Sequence, residues 1–257
     1  MRTILKLLLS MMLPIATIAQ KNVTAESIIK SINNNEAVSL TNVQVTGDLD
    51  FTKLDNMKEE RQHNSSDKIY ISTVTSALSF NNCTFTGKVL GYVNPDEQKP
   101  FVKSSTVYNA NFTADVKFEN CSFEKEANFK YSVFSAQVSF AGSQFDDEAF
   151  FKYSNFEEGP KFNNATFKSD VVFKYVEFPA DFDFSYAVFE NNADFKYAKF
   201  MNGGSFAKAD FKNGSDFKYA NFSKSVKFNG ANFGGPNDFK YTTVDDRHAN
   251  LNELVNE

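Results

Sequence analysis

The sequence predicts an all-β fold, a parallel β-helix built as a four-sided solenoid and closed at its start by a short helix. Three observations predict it. Phenylalanine recurs from Phe118 to Phe239 in steps that alternate strictly between five and six residues, an eleven-residue unit. Phe-Lys-Tyr returns at 129–131, 151–153, 173–175, 195–197, 217–219 and 239–241, twenty-two residues apart each time, so one structural turn holds four phenylalanine-centred segments. The slot two residues before the phenylalanine is small or β-branched in one half-unit: Cys121, Ser132, Ser143, Ser154, Ala165, Val176, Ala187, Ala198, Ala209, Ala220 and Ala231. Residues two apart in extended chain face the same way, so each inward face pairs a large residue with a small one.

An eleven-residue period also suits a right-handed coiled coil. Geometry excludes it here, because a step of five turns a helix by about 140° and carries the ring off any single stripe. The stretch is rich in Phe, Tyr, Asn and Gly and poor in Leu, which suits strands and corners better than helix. Coils of this kind stack at about 4.8 Å, so about six of them make a rod of about 29 Å.

Ala-Asn-Phe at 110–112, 220–222 and 231–233, with Ala-Asp-Phe at 193–195 and 209–211, carries a further likeness. The repeat resembles that of the pentapeptide-repeat family, in which a central Leu or Phe and the small residue two before it point into a right-handed, four-sided β-helix. The departure is one extra residue in every second segment. It implies a bulge or widened corner in a coil of twenty-two. Some members of that family mimic a DNA duplex and bind a topoisomerase; the resemblance makes this a minor alternative, which the regular lysines and the export signal described below oppose.

In chain order, residues 1–19 read as a signal peptide: Arg2 and Lys6 precede a largely apolar run from Ile4 to Ile18, with small-residue cleavage options and a cut expected after Ala19. The apolar run is short for a membrane span, and the mature chain holds no longer one. Export through the secretory pathway follows, to the periplasm, the cell envelope or the extracellular space. Residues 20–37 are expected to form a cap helix with Thr24 as N-cap and Ile28, Ile29 and Ile32 as its apolar patch. An open rod end otherwise exposes unpaired backbone and core. Residues 38–244 form the β-helix. Leu40, Val45 and Phe51 already keep the rhythm, with Val38, Val43 and Leu49 two before them. Polar loops are expected near 52–68 and 91–106, the second carrying Asn94-Pro95-Asp96 and Lys99-Pro100 turn signals. Ile69, Val74, Phe80 and Phe85 resume the spacing after the first loop, and Phe101, Val107 and Phe112 stay in phase through the second. Residues 245–257 form a C-terminal cap or tail, with Leu251 to Val255 sealing the far end. Capping at both ends predicts a monomer or a weak end-to-end dimer.

The formal charge of −5 becomes −7 once Arg2 and Lys6 are removed, and no basic patch is present, which argues against direct nucleic-acid binding. The catalytic inventory is thin. Only His63 and His248 exist, and no cluster has metal-site spacing, so no cofactor or metal is expected. Asp146-Asp147-Glu148, Glu157-Glu158 and Asp245-Asp246 leave a polysaccharide-cleaving β-helix enzyme as the alternative function, since paired carboxylates can act as acid and base. Cys83 and Cys121 both occupy inward small slots. Export favours a disulfide, which requires adjacent coils; two buried thiols filling small slots is the other reading.

What remains is the surface. Tyr131, Tyr153, Tyr175, Tyr197, Tyr219 and Tyr241 are expected to stack along one edge, beside a column of Lys130, Lys152, Lys174, Lys196, Lys218 and Lys240. Such a strip suits a glycan or a protein partner. It can equally support the rod itself, with Lys196, Lys218 and Lys240 paired to Asp194, Asp216 and Asp238. The function expected is that of an exported, non-enzymatic structural or binding rod.

Overall fold

A computed structural model describes residues 20–60, 67–97, 99, 104–249 and 253–254. The expected signal peptide lies outside them, as do His63 and Phe101. The chain winds as a parallel β-helix with four sheets as its sides. Along the regular coils, side one carries Phe118, Phe140, Phe162, Phe184 and Phe206, and side two Phe123, Phe145, Phe167, Phe189 and Phe211. Side three carries Phe129, Phe151, Phe173, Phe195 and Phe217, and side four Phe134, Phe156, Phe178, Phe200 and Phe222. All of these rings are at most 3% exposed. Strand registers advance by twenty-two, as in Val171↔Ala193 and Phe178↔Phe200.

The corners explain the alternation of five and six. In the five-residue steps the N–H three residues after a phenylalanine bonds back to its carbonyl, as Ser132 N to Phe129 O at 3.1 Å and Ala187 N to Phe184 O at 3.0 Å. The residue between, two after the phenylalanine, takes positive φ, the pattern of a type II turn. After side one this residue is Asn120, Gly142, Asn164, Tyr186, Lys208 or Gly230. The six-residue steps open the other two corners, where bonds run between coils instead, such as Glu157 N to Phe134 O at 2.9 Å.

Each ring lies flat on its counterpart one coil on. Phe173, Phe195 and Phe217 stack at 5.1 and 4.8 Å with interplanar angles of 8° and 2°. Rings of neighbouring sides meet edge to face, as Phe195 on Phe206 at 5.7 Å and 90°. Both geometries suit the aromatic quadrupole. The small slots let the backbones close around this column. Where a slot holds a hydroxyl, it bonds to a carbonyl beneath: Ser143 Oγ to Phe118 O and Ser154 Oγ to Phe129 O, both at 2.7 Å. One slot breaks the rule. Phe182 fills a side-one position and is 1% exposed. Gly204 stands opposite it in the next coil, where a Cβ would lie 1.8 Å from Phe182 Cε1.

Helix α1 (Ala25–Asn33) covers the first coil. Thr24 caps it, accepting from Ser27 N at 3.2 Å. Ala25, Ile28 and Ile32 are buried beneath it. No helix among the described residues is long and apolar enough to cross a membrane. At the other end Leu254 is buried, while Phe233, Phe239 and Val244 are only partly covered.

The two insertions differ from the loops expected. Both leave the coil at the corner between sides three and four. The first passes through a 3-10 turn (Phe51–Lys53) and a strand, Lys58–Glu60, that pairs antiparallel with Lys68–Val74. The second sends Tyr92–Val93 back antiparallel against Thr106–Phe112. Lys68–Val74 and Thr106–Phe112 pair in parallel over seven residues, from Lys68↔Thr106 to Val74↔Phe112. Their last residues belong to side four; their first halves run on past the corner as a fin. Val74 and Phe112 are therefore in the core, whereas Ile69 and Val107, in phase by count, stand outside it. A straight strand overshoots the corner that a five-residue turn would have made.

Phe195→Ala leaves a ring-sized cavity and should cost about 3–5 kcal/mol. Ala198→Leu overfills a slot that is 0% exposed and should cost about 1–3 kcal/mol. Tyr197→Ala removes two half-exposed stacks, on Tyr175 and Tyr219, and should cost about 1–3 kcal/mol. Denaturant unfolding of the three variants beside the parent checks the order; Tyr197→Ala as damaging as Phe195→Ala would refute the assignment of inside and outside.

Candidate functional site: the tyrosine corner

The corner between sides three and four carries the tyrosines. Tyr131, Tyr153, Tyr175, Tyr197, Tyr219 and Tyr241 all have φ between 58° and 64°. A non-glycine residue held in this left-handed region costs about 1–2 kcal/mol. The rings stack in one file with centroids 4.9, 4.7, 4.8, 4.8 and 4.8 Å apart and planes within 18° of parallel. Each stack contributes about 0.5–1.5 kcal/mol, comparable to the backbone cost. Ring faces are thus closed against one another. What faces solvent is a row of ring edges and phenol groups, between 38% and 47% exposed.

The lysines do not form one free column. Lys152, Lys174, Lys218 and Lys240 bring their ammonium groups to 4.9 to 5.6 Å from the ring centroids of Tyr153, Tyr175, Tyr219 and Tyr241, beside the stack. Lys130 reaches Glu97 of the second insertion at 3.1 Å and lies by the rings of Phe150 and Tyr92, at 4.7 and 5.5 Å from their centroids. Lys196 alone among the last three makes an ion pair of the expected kind, and chiefly across coils, to Asp216 at 2.8 Å against 4.0 Å to Asp194. Asp216 and Asp238 accept the backbone N–H of Lys218 and Lys240 at 3.1 and 2.8 Å. The expected pairing of Lys218 and Lys240 with those two carboxylates is therefore corrected: the aspartates hold the turn, and the ammonium groups turn to the rings.

Reasoning by the twenty-two-residue count missed the head of the file. Tyr92, from the second insertion, leans on Tyr131 at 5.6 Å and 37°. Burial, and then the nearby Glu97 carboxylate, pushes the Tyr92 phenol up to about 12. Tyr131 is raised as well, by burial and then by Tyr153, and Tyr175 by lost solvation and then by Tyr153 and Tyr197.

The acidic pairs are engaged in structure. Asp146 bridges to Lys168 at 2.8 Å, Glu157 accepts from Ser135 Oγ at 3.0 Å, and Asp245 accepts from Lys224 N at 3.1 Å. No group of three or more His, Cys, Asp or Glu among the described residues could hold a metal ion. Cys83 and Cys121 are buried free thiols. They sit in adjacent coils, since Phe85 pairs with Phe123, and the second insertion accounts for their wider separation in sequence. A hydrogen bond to Cys83, together with burial, holds the Cys121 thiol well above its ordinary range.

A family model described as pentapeptide repeats (9 copies) matches residues 108–155 and 151–199. No curated protein matches the chain.

The raised tyrosines fix a direction for pH. A phenol titrates near 10 in an unfolded chain. Its folded value is higher, so the stability it confers is whole below about 10 and is lost as pH rises through the folded values, up to about 12 for Tyr92. Phenolate absorbance should therefore lag that of the denatured protein and rise together with loss of circular dichroism. Ionisation of every tyrosine at the free value, with the fold intact, would contradict it.

Proposed function

Residues 108–199 match the pentapeptide-repeat family, and from that premise we propose that the chain is an exported, non-enzymatic rod that presents its tyrosine corner to an acidic glycan. The observation that carries this reading is the unbroken row of half-exposed phenols, one per coil, with lysines beside four of the six. Phenol and ammonium groups together offer donors, acceptors and positive charge at one fixed interval. A polymer with hydroxyl and carboxylate groups can meet them coil after coil, so that weak contacts add by multivalency. Lys152 and Lys174, preceded by Phe150 and Val172 where the later coils carry Asp194, Asp216 and Asp238, leave positive charge at this corner of a chain of negative net charge and orient such a polymer along it. The engaged acidic pairs support binding rather than cleavage.

Retention of the mature chain on an immobilised polyuronate should weaken with salt and fall roughly tenfold when Lys174 and Lys218 are both changed to Gln. No oligosaccharide should be released. Release of oligosaccharides would instead establish the enzyme, and retention indifferent to both salt and the lysines would remove the corner from the account.

Export has its own check. Mass spectrometry of the protein recovered from its cells should find an N-terminus near Gln20, and an intact Met1 in the soluble fraction would refute it.

A further inference from the structure

The ring file is closed everywhere except at its head. Between Tyr92 and Tyr131 the planes open to 37°, against at most 18° from Tyr131 onward. Beside this pair lies a cleft of about 230 Å³, between the fin and the rod. Tyr92 and Tyr131 form its aromatic wall, and Ile69 and Val107, paired across the two long strands, supply apolar surface. Ser105 and Asn109 bring polar groups to the same cleft, and Asp67 at its edge accepts the Ser105 N–H at 2.7 Å.

Asn109 is the unusual member. It is 8% exposed, and its Oδ1 has no hydrogen-bond partner among the described residues. A buried acceptor left unpaired weakens a fold. The position invites an apolar residue, since Asn109 pairs in register with Ile71 on one side and with Tyr92 on the other. Asn109 is thus poorly chosen for stability and well placed to receive a donor brought by a ligand.

We propose that this cleft is a subsite for a single neutral sugar ring, the end residue of a chain that continues along the tyrosine corner. The proposal extends the glycan reading given above and rests on it for the class of polymer. A sugar ring has an apolar C–H face for Ile69 and Val107, hydroxyls for the edge of Tyr131, and hydroxyl donors for Asn109. The cleft is smaller than sites for drug-sized ligands, which run about 300–1,000 Å³, so it admits one ring and not two. Asp67 is the carboxylate in the lining, where a second carboxylate would meet a like charge, while Glu97 stands outside the lining and is answered by Lys130 at 3.1 Å. A uronate is therefore disfavoured where a neutral hexose or N-acetylhexosamine is accepted.

The test is ligand-observed saturation-transfer NMR on the mature chain with glucose, galactose, N-acetylglucosamine and glucuronate. At least one neutral sugar should show transfer, and glucuronate should bind about tenfold more weakly. Asn109→Leu should melt no lower than the parent yet bind the neutral sugar about tenfold more weakly. Val107→Trp, which fills the cleft from a different strand position, should abolish transfer and covers the case in which Asn109→Leu fails to fold. Tyr175→Ser, two coils down the file, should leave the neutral sugar bound while polyuronate retention falls. Transfer from no neutral sugar, with polyuronate still retained, would sink the cleft and leave the corner standing. Neutral-sugar binding unchanged in both Asn109→Leu and Val107→Trp would sink it as well. Cleft binding in a chain that ignores polyuronate would uphold the sugar subsite and remove the polymer reading.

Discussion

Everything in the rod depends on a phenylalanine ring lying flat on the ring one coil away. That contact demands that every coil bring its rings back to the same phase, so the extra residues of the two insertions, across which the register advances by forty (Val38↔Leu78) and thirty-eight (Val89↔Ala127), have to leave the coil at a corner. Strand pairing alone does not demand so much, since two-residue strands such as Val188–Phe189 and Asp210–Phe211 form few bonds. The hydrogen bonds fix the spacing between coils, and the rings fix which residues face each other. A buried phenylalanine contributes about 1.5–3 kcal/mol. A file of them can hold together a thin body with no globular core.

The same register makes the outer corner. Five-residue steps need a positive φ two residues after the phenylalanine, which after side one is often supplied by Asn or Gly. At the corner between sides three and four the position is tyrosine in every regular coil, at a backbone cost that the stacking of its own rings helps to offset. Support and exposure are thus one feature: the rings that steady the turn also deliver their phenols to solvent. Both insertions leave from this corner, and the fin they build stands at the head of the tyrosine file. The variable part of the chain and its most regular surface therefore meet in one place.

The repeat was legible because period and packing coincide. Phe173 over Phe195, Phe178 on the adjoining side and Ala198 in an inward slot all follow from counting. Counting fails where a strand does not turn. Ile69 and Val107 keep the phase and still lie outside, since nothing in their spacing tells a straight strand from a corner. Tyr92 and Asn109 are hidden for a related reason: an antiparallel return, not the coil, brings them to Tyr131. Lys196 shows a third limit. Its nearer partner in sequence is Asp194, and its nearer partner in space is Asp216, one coil away. In a solenoid the neighbour along the axis competes with the neighbour along the chain, and for surface charges it can win.

Phe182 and Gly204 set a limit on how such a rod can change its length. Elsewhere one coil resembles the next, so duplication or loss of twenty-two residues rejoins ring to ring and slot to slot. Across this pair it does not. Loss of the coil that supplies Gly204 would bring Phe182 against Val226, a full twenty-two residues further on. A large residue has no room there. The two positions thus form a splice that tolerates only joint change, and unequal recombination among the repeats is constrained at this point though it is free along the more uniform stretches on either side.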